Sequence, residues 1–170
     1  PWLFATIFGG IIASSIMLFY SPMLSFELIS LSLILSFVPL LMGLGGNIRN
    51  QSATILVRAL ALTNLEKIDK MKIIIRELGI GCIIGSIIGL IVSIYVYFIS
   101  QNTIMTICIG ISIILNMGFA SLLGSSLPII LKTFRIDPAI ASAPFISSTL
   151  DIIGQLIYFS TIIFLFKTFL

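Results

Sequence analysis

Asp137-Pro138-Ala139-Ile140-Ala141-Ser142-Ala143-Pro144-Phe145-Ile146-Ser147-Ser148-Thr149-Leu150-Asp151 is the stretch on which the reading of the chain turns. It opens the last long apolar run and sets a carboxylate inside it. Read as helix, the steps from Asp137 to Asp151 cover about 21 Å at 1.5 Å per residue. That reaches well into a hydrocarbon layer about 30 Å thick. At about 100° per residue, Pro144, Ser147, Ser148, Gly154, Gln155 and Tyr158 fall within about 60° of Asp151. Phe145, Ile146, Leu150, Ile153 and Leu156 occupy the other side. A small, polar stripe centred on an acid faces something other than lipid. An ionisable group at that depth is costly, calls for a partner, and marks a functional site.

Composition settles the class. Of 170 residues, 59% are hydrophobic and 9% charged. So few charges do not cover the surface of a soluble domain of this size. The chain reads as an all-α integral membrane protein, a single transmembrane domain over 1–170 with no room for an aqueous one. It has no His, and Cys82 and Cys108 lie inside apolar runs, where thiols act as small hydrophobes. The start at Pro1-Trp2, with no basic region before the first apolar run, gives no signal-peptide pattern and suggests a fragment.

Five spans are expected, at about 3–20, 28–62, 78–100, 104–131 and 139–166. In the first, Gly10 and Ser14 offer a small-xxx-small contact face. The second is about 52 Å long if it is one helix, so it is broken or strongly tilted. Pro39 and the glycines of Gly43-Leu44-Gly45-Gly46-Asn47 place the break near 43–51. There the amides of Asn47, Asn50 and Gln51 either compensate freed backbone or face an ion path, or else cap a helix end at the interface. Thr63 to Glu77 is a concentrated charge run, read as a short amphipathic helix on the membrane surface. In the third span Gly81, Gly85 and Gly89 recur every four residues and strip one ridge to bare backbone for close helix packing.

Basic residues gather at Arg58, Lys67, Lys70, Lys72 and Arg76 around the link after span two, and at Lys132 and Arg135 after span four. The links after spans one and three hold none. The positive-inside rule places the amino terminus and both basic links in the cytoplasm and the carboxyl terminus outside a cell (inner) membrane. Asp137 then stands at the inner mouth and Asp151 near mid-bilayer. Arg49, within the expected break, is set aside in this count.

Catalysis finds no support: there is no His-Glu-x-x-His, no nucleophile with a base, and one intramembrane acid where an aspartyl protease needs two. No nucleic-acid partner is expected. A cation path suits Asp151 better, since a two-fold homodimer turns one carboxylate into a facing pair. Oxygen ligands without imidazole or thiolate favour Mg²⁺ or Ca²⁺. Hydroxyls of Ser147 and Ser148, and carbonyls freed by Pro144, hold the ion's water shell, with Pro144 and Gln155 lining the pore. The competing reading makes Asp151 a structural acceptor between helices. A non-conducting scaffold subunit and an ion-coupled exchanger are the alternative functions.

Pro39-Leu-Leu-Met-Gly43-Leu-Gly45-Gly46-Asn47, Asn50-Gln51-Ser52-Ala53-Thr54, Gly124-Ser-Ser-Leu-Pro128, Asp137-Pro138-Ala139 and Ser142-Ala-Pro144 through Asp151 stand in order along the chain. Together they resemble the membrane domain of the MgtE family of magnesium channels and transporters, related to the animal solute carriers for magnesium. The resemblance implies a homodimer of five spans per subunit with a pore at the two-fold axis, and Mg²⁺ bound there with the help of Asp151. It puts Gly46 and Asn47 beside the pore and Asp137 at its cytoplasmic mouth. Members often have Gly where Arg49 stands, so the loop here is bulkier and more basic. Some have Asn in place of Ala143, which leaves Ala143 only its carbonyl as a metal ligand. The family's cytosolic regulatory domains have no counterpart in this chain.

Overall fold

The computed structural model describes residues 2–24, 28–62, 69–138 and 144–169. They form α1 (Trp2–Leu24), α2 (Leu28–Ser36), α3 (Val38–Leu62), α4 (Lys70–Ser100), α5 (Thr103–Thr133) and α6 (Pro144–Phe169). Five stretches are long and apolar enough to cross a membrane: Thr6–Leu24, Leu31–Ala61, Lys70–Ser100, Thr103–Thr133 and Ile146–Phe169. The expected all-α architecture of five spans is what is seen.

α5 is the central helix, packed against α3, α4 and α6, and α1 lies on the outer side of α6. Cys108, Ile109, Ile113 and Met117 of α5 are fully buried. The glycine ridge of α4 does face α5. A Cβ on Gly81 would stand 2.6 Å from Ser121 Cβ, and one on Gly85 2.9 Å from Met117 Cβ. The small face of α1 is shifted by one residue from its expected place. Gly10 has nothing near it, whereas Gly9 is buried and a Cβ there would lie 2.6 Å from Ser148 Cβ on α6.

The second span breaks earlier than expected. Phe37 alone interrupts it, and residues 43–51 are continuous helix. The cause is Pro39, which has no N–H to return to the carbonyl four residues back, so the ladder fails one turn upstream. Phe37 N donates to Ile34 O at 3.4 Å, a tighter three-residue step. The buried hydroxyl of Tyr158 also donates to Ile34 O, at 3.2 Å. Gly43, Gly45 and Gly46 stay helical because hydrocarbon offers no other partner for their backbone groups.

The charge run also departs from expectation. From Lys70 onward it forms the first two turns of α4 itself, with Asp69 capping the helix by accepting from Lys72 N at 3.1 Å. No breaker separates Lys70 from Leu78, so the helix continues; residues 63–68 lie outside the described residues. Lys132 Nζ, near the end of α5, donates to Leu60 O near the end of α3. That bond holds the basic ends of the two helices together.

Candidate ion site inside the helix bundle

α6 begins with Pro144, whose missing N–H costs nothing in a first turn. The expected span start at Ala139, and Ala143 with it, lie outside the described residues. Asp151 follows seven residues into α6, about 10 Å along its axis. Its side chain is 24% exposed and its Oδ1 accepts from Arg49 Nη1 at 3.0 Å. Arg49 Nη2 donates to Ser147 Oγ at 2.9 Å. Ser147 and Asp151 are four apart on α6 and so lie one above the other on one face. The planar fork of a guanidinium spans both, which an ammonium would not do as rigidly.

Arg49 is itself buried, 6% exposed, in the middle of α3. One close approach fixes its backbone: Gly124 of α5 lies so near that a Cβ there would stand 2.9 Å from Arg49 Cα. Gly46, one turn before, lies beside the guanidinium, where a Cβ would make an ordinary contact of 3.6 Å with Nη2. The pair is mutually dependent. Taking away one partner leaves the other charge buried and uncompensated, typically about 3–5 kcal/mol for a fully enclosed pair and less here because Asp151 is partly open.

Beside the pair is a small cavity of about 20 Å³ whose lining includes Gly45, Arg49, Asn116, Asp151, Gly154 and Gln155. That is room for about one water. Asn116 Nδ2 donates to Gly154 O at 2.6 Å, tying α5 to α6. Gln155 Nε2 is 3.4 Å from Met42 Sδ, a weak contact, and Gln155 Oε1 is buried with no hydrogen-bond partner. A buried acceptor with no donor from the protein is uncommon, and here it borders a space of about one water.

The structure brings together Asp151 and Ser147 of the expected set, and it adds Arg49. Ser148 turns to α1, against Gly9. Asn47 is exposed on α3 and Gly46 half-buried beside it. Asp137 is exposed in the link after α5. Gln155, expected on the pore lining, is 3% exposed and enclosed within the subunit, because α6 turns it onto α3. The side chain of Pro144 is not among those described.

Glu77 is the second residue that sequence reasoning missed. It is 2% exposed. Its Oε2 accepts from Ser52 Oγ at 3.0 Å and its Oε1 from Arg76 Nη2 at 3.1 Å. Ser121 Oγ donates to the Glu77 carbonyl at 2.7 Å and lies 3.0 Å from Ser52 Oγ. The signal was present: Glu77 stands four residues before Gly81, on the same ridge as Gly81, Gly85 and Gly89. This second acid has its own partners, so the bundle holds two separate polar clusters rather than a carboxylate dyad.

Five spanning helices with a buried arginine–aspartate pair between the second and the last define a multi-pass α-helical membrane protein built around intramembrane charge. Residues 38–161 match the family model MgtE, described as divalent cation transporter. The chain belongs to the MgtE family. It is 33% identical over 159 residues to the magnesium transporter MgtE of Thermus thermophilus, 30% over 159 to that of Bacillus subtilis, and 31% over 160 to that of Enterococcus faecalis. Each match covers 94% of this chain and 34% of the relative, so the chain spans about a third of the length of these relatives.

Proposed function

We propose that this chain forms the membrane pore of a Mg²⁺ transporter, assembled as a homodimer with Asp151 of each subunit facing one ion on the two-fold axis. Mg²⁺ is the cargo rather than a resident cofactor, and it passes largely within its water shell, which it gives up reluctantly. The observation that carries the reading is the Asp151 carboxyl group: it sits in the third turn of the last helix, inside an apolar span, partly open, with a buried guanidinium 3.0 Å from its Oδ1. Asn47, exposed on α3, and Gly46 beside it are assigned to the same path, and exposed Asp137 to its mouth. The basic ends of α3, α4 and α5 face the cytoplasm, as the positive-inside rule requires. An interior-negative potential then favours entry of a divalent ion by about 4.6 kcal/mol per 100 mV, twice the value for one charge.

The test is Mg²⁺ uptake into proteoliposomes by the wild type and by Asp151→Asn. Uptake is expected to fall to background in the variant while the protein stays folded. Wild-type uptake by a folded Asp151→Asn variant would remove Asp151 from the path and end this reading.

A further inference from the structure

We propose that Arg49 is a tethered competitor for the Asp151 carboxylate: an arriving divalent cation displaces its Nη1 group, which turns into the adjoining one-water cavity toward Gln155 Oε1. The inference rests on the reading of Asp151 as an ion ligand. Two independent features of the bundle lead to it.

The first is the pair itself. Arg49 Nη1 holds Asp151 Oδ1 at 3.0 Å, so an ion approaching the open edge of the carboxylate meets a group whose charge is already balanced. In a two-fold dimer, two acids and two guanidinium groups sum to no net charge at the site. At the carboxylate itself, a monovalent ion that replaced one guanidinium would bring no more charge than the group it displaced and would lose a directional contact. A divalent ion gains one unit in the same exchange. Arg49 therefore sets a threshold of valence at the site, and it raises the Mg²⁺ concentration needed to fill it.

The second feature is a place for the displaced group. A buried guanidinium released from its acid needs another acceptor. Arg49, Asp151 and Gln155 line the same cavity of about 20 Å³, and Gln155 Oε1 is the buried acceptor there without a donor. The root of the side chain stays fixed against Gly124 while the fork turns, and only one Nη group has to enter the one-water space. An unsatisfied acceptor beside a paired arginine is then a second seat, used when the ion holds the first. The positioning pair is Arg49 and Gln155; Asp151 meets the ion.

The experiment is a double-mutant cycle on the purified chain, with Mg²⁺ as the probe. It reads the half-saturating concentration for uptake, the maximal rate, and the Mg²⁺-dependent rise in melting temperature. Arg49→Gln is expected to lower half-saturation about tenfold, the equivalent of one modest ion pair, with a much smaller change in maximal rate. It is also expected to melt lower without Mg²⁺ and to gain more from Mg²⁺ than the wild type. Gln155→Leu is expected to raise half-saturation about threefold in the wild-type background and to have no such effect in Arg49→Gln, because the seat then has no occupant. Should Arg49→Gln fold poorly, Arg49→Lys keeps the charge but loses the fork, and its half-saturation is expected between the two. Half-saturation in Arg49→Gln or Arg49→Lys within twofold of the wild type overturns the competitor. An equal shift from Gln155→Leu in both backgrounds overturns the seat. If Asp151→Asn abolishes uptake while Arg49→Gln matches wild type, this inference fails and the pore reading stands. If Asp151→Asn transports normally, the pore reading fails and takes this inference with it.

Discussion

Gly124→Ala adds one methyl where α5 crosses α3, and its cost follows from the spacing. The new Cβ would stand 2.9 Å from Arg49 Cα and 3.0 Å from its carbonyl carbon, with the carbonyl oxygen closer still. Ordinary contacts of a Cβ begin at 3.4 Å, so the Arg49 backbone must retreat by at least about half an ångström, and its carbonyl oxygen by more. The obstacle is backbone, and no change of rotamer relieves it. Overpacking of this kind costs about 1–3 kcal/mol, against a gain of up to about 1 kcal/mol for Ala over Gly in a helix. The net loss is about 1–2 kcal/mol, a fall of about 2–8 °C in melting temperature for a chain of this size. Moving α3 by half an ångström also stretches the bonds from Arg49 to Asp151 and Ser147, now 3.0 and 2.9 Å, beyond the usual range of about 2.7–3.2 Å. Thermal unfolding in detergent, followed by circular dichroism, measures the effect against Gly79→Ala, a position with nothing within 4 Å of a new Cβ. The control is expected to melt at or slightly above the wild type. A Gly124→Ala variant that melts with the control would refute the claim that this crossing is close enough to fix Arg49.

Two further outcomes follow from the buried polar bonds. Tyr158→Phe removes one of the two donors to Ile34 O at the break in the second span, and is expected to cost about 0.5–1.5 kcal/mol in thermal unfolding, the net worth of one hydrogen bond; an unchanged melting temperature would show that the Phe37 N–H suffices. Glu77→Ala strips the acceptor from Ser52 and Arg76, and is expected to destabilise by about 1–3 kcal/mol while leaving the half-saturating Mg²⁺ concentration as in the wild type. A shift in that concentration would show that the two polar clusters act as one.

The span count was legible because it depends on length and apolar content, which the sequence carries directly. The α4–α5 contact was legible too, since Gly81, Gly85 and Gly89 recur every four residues and only a helix neighbour gives such a ridge a use. The same spacing extends back to Glu77, but the surrounding Lys70, Lys72 and Arg76 hid it. Read by composition, the segment looks like a solvated surface helix. Read by phase, one of its acids must enter the bundle, and phase prevails because hydrocarbon and packing act on faces of a helix, not on averages along it.

The partner of Asp151 was the harder case. Arg49 and Asp151 are 102 positions apart, and their meeting depends on the rotation of α3 about its own axis. Glycines at 43, 45 and 46 gave no apolar face to fix that rotation, and with Pro39 they invited a break in the place where the helix in fact runs on. Once residues 43–51 are helical, Arg49 lies one turn beyond Gly45 and Gly46, and Gly124 lets α5 press α3 close enough to direct it inward. A basic residue counted as loop is then a buried cation, and a buried cation in hydrocarbon must find an acid. Asp151 and Arg49 each solve the other's desolvation, which is why the question for transport is how the two come apart rather than how an isolated carboxylate is tolerated.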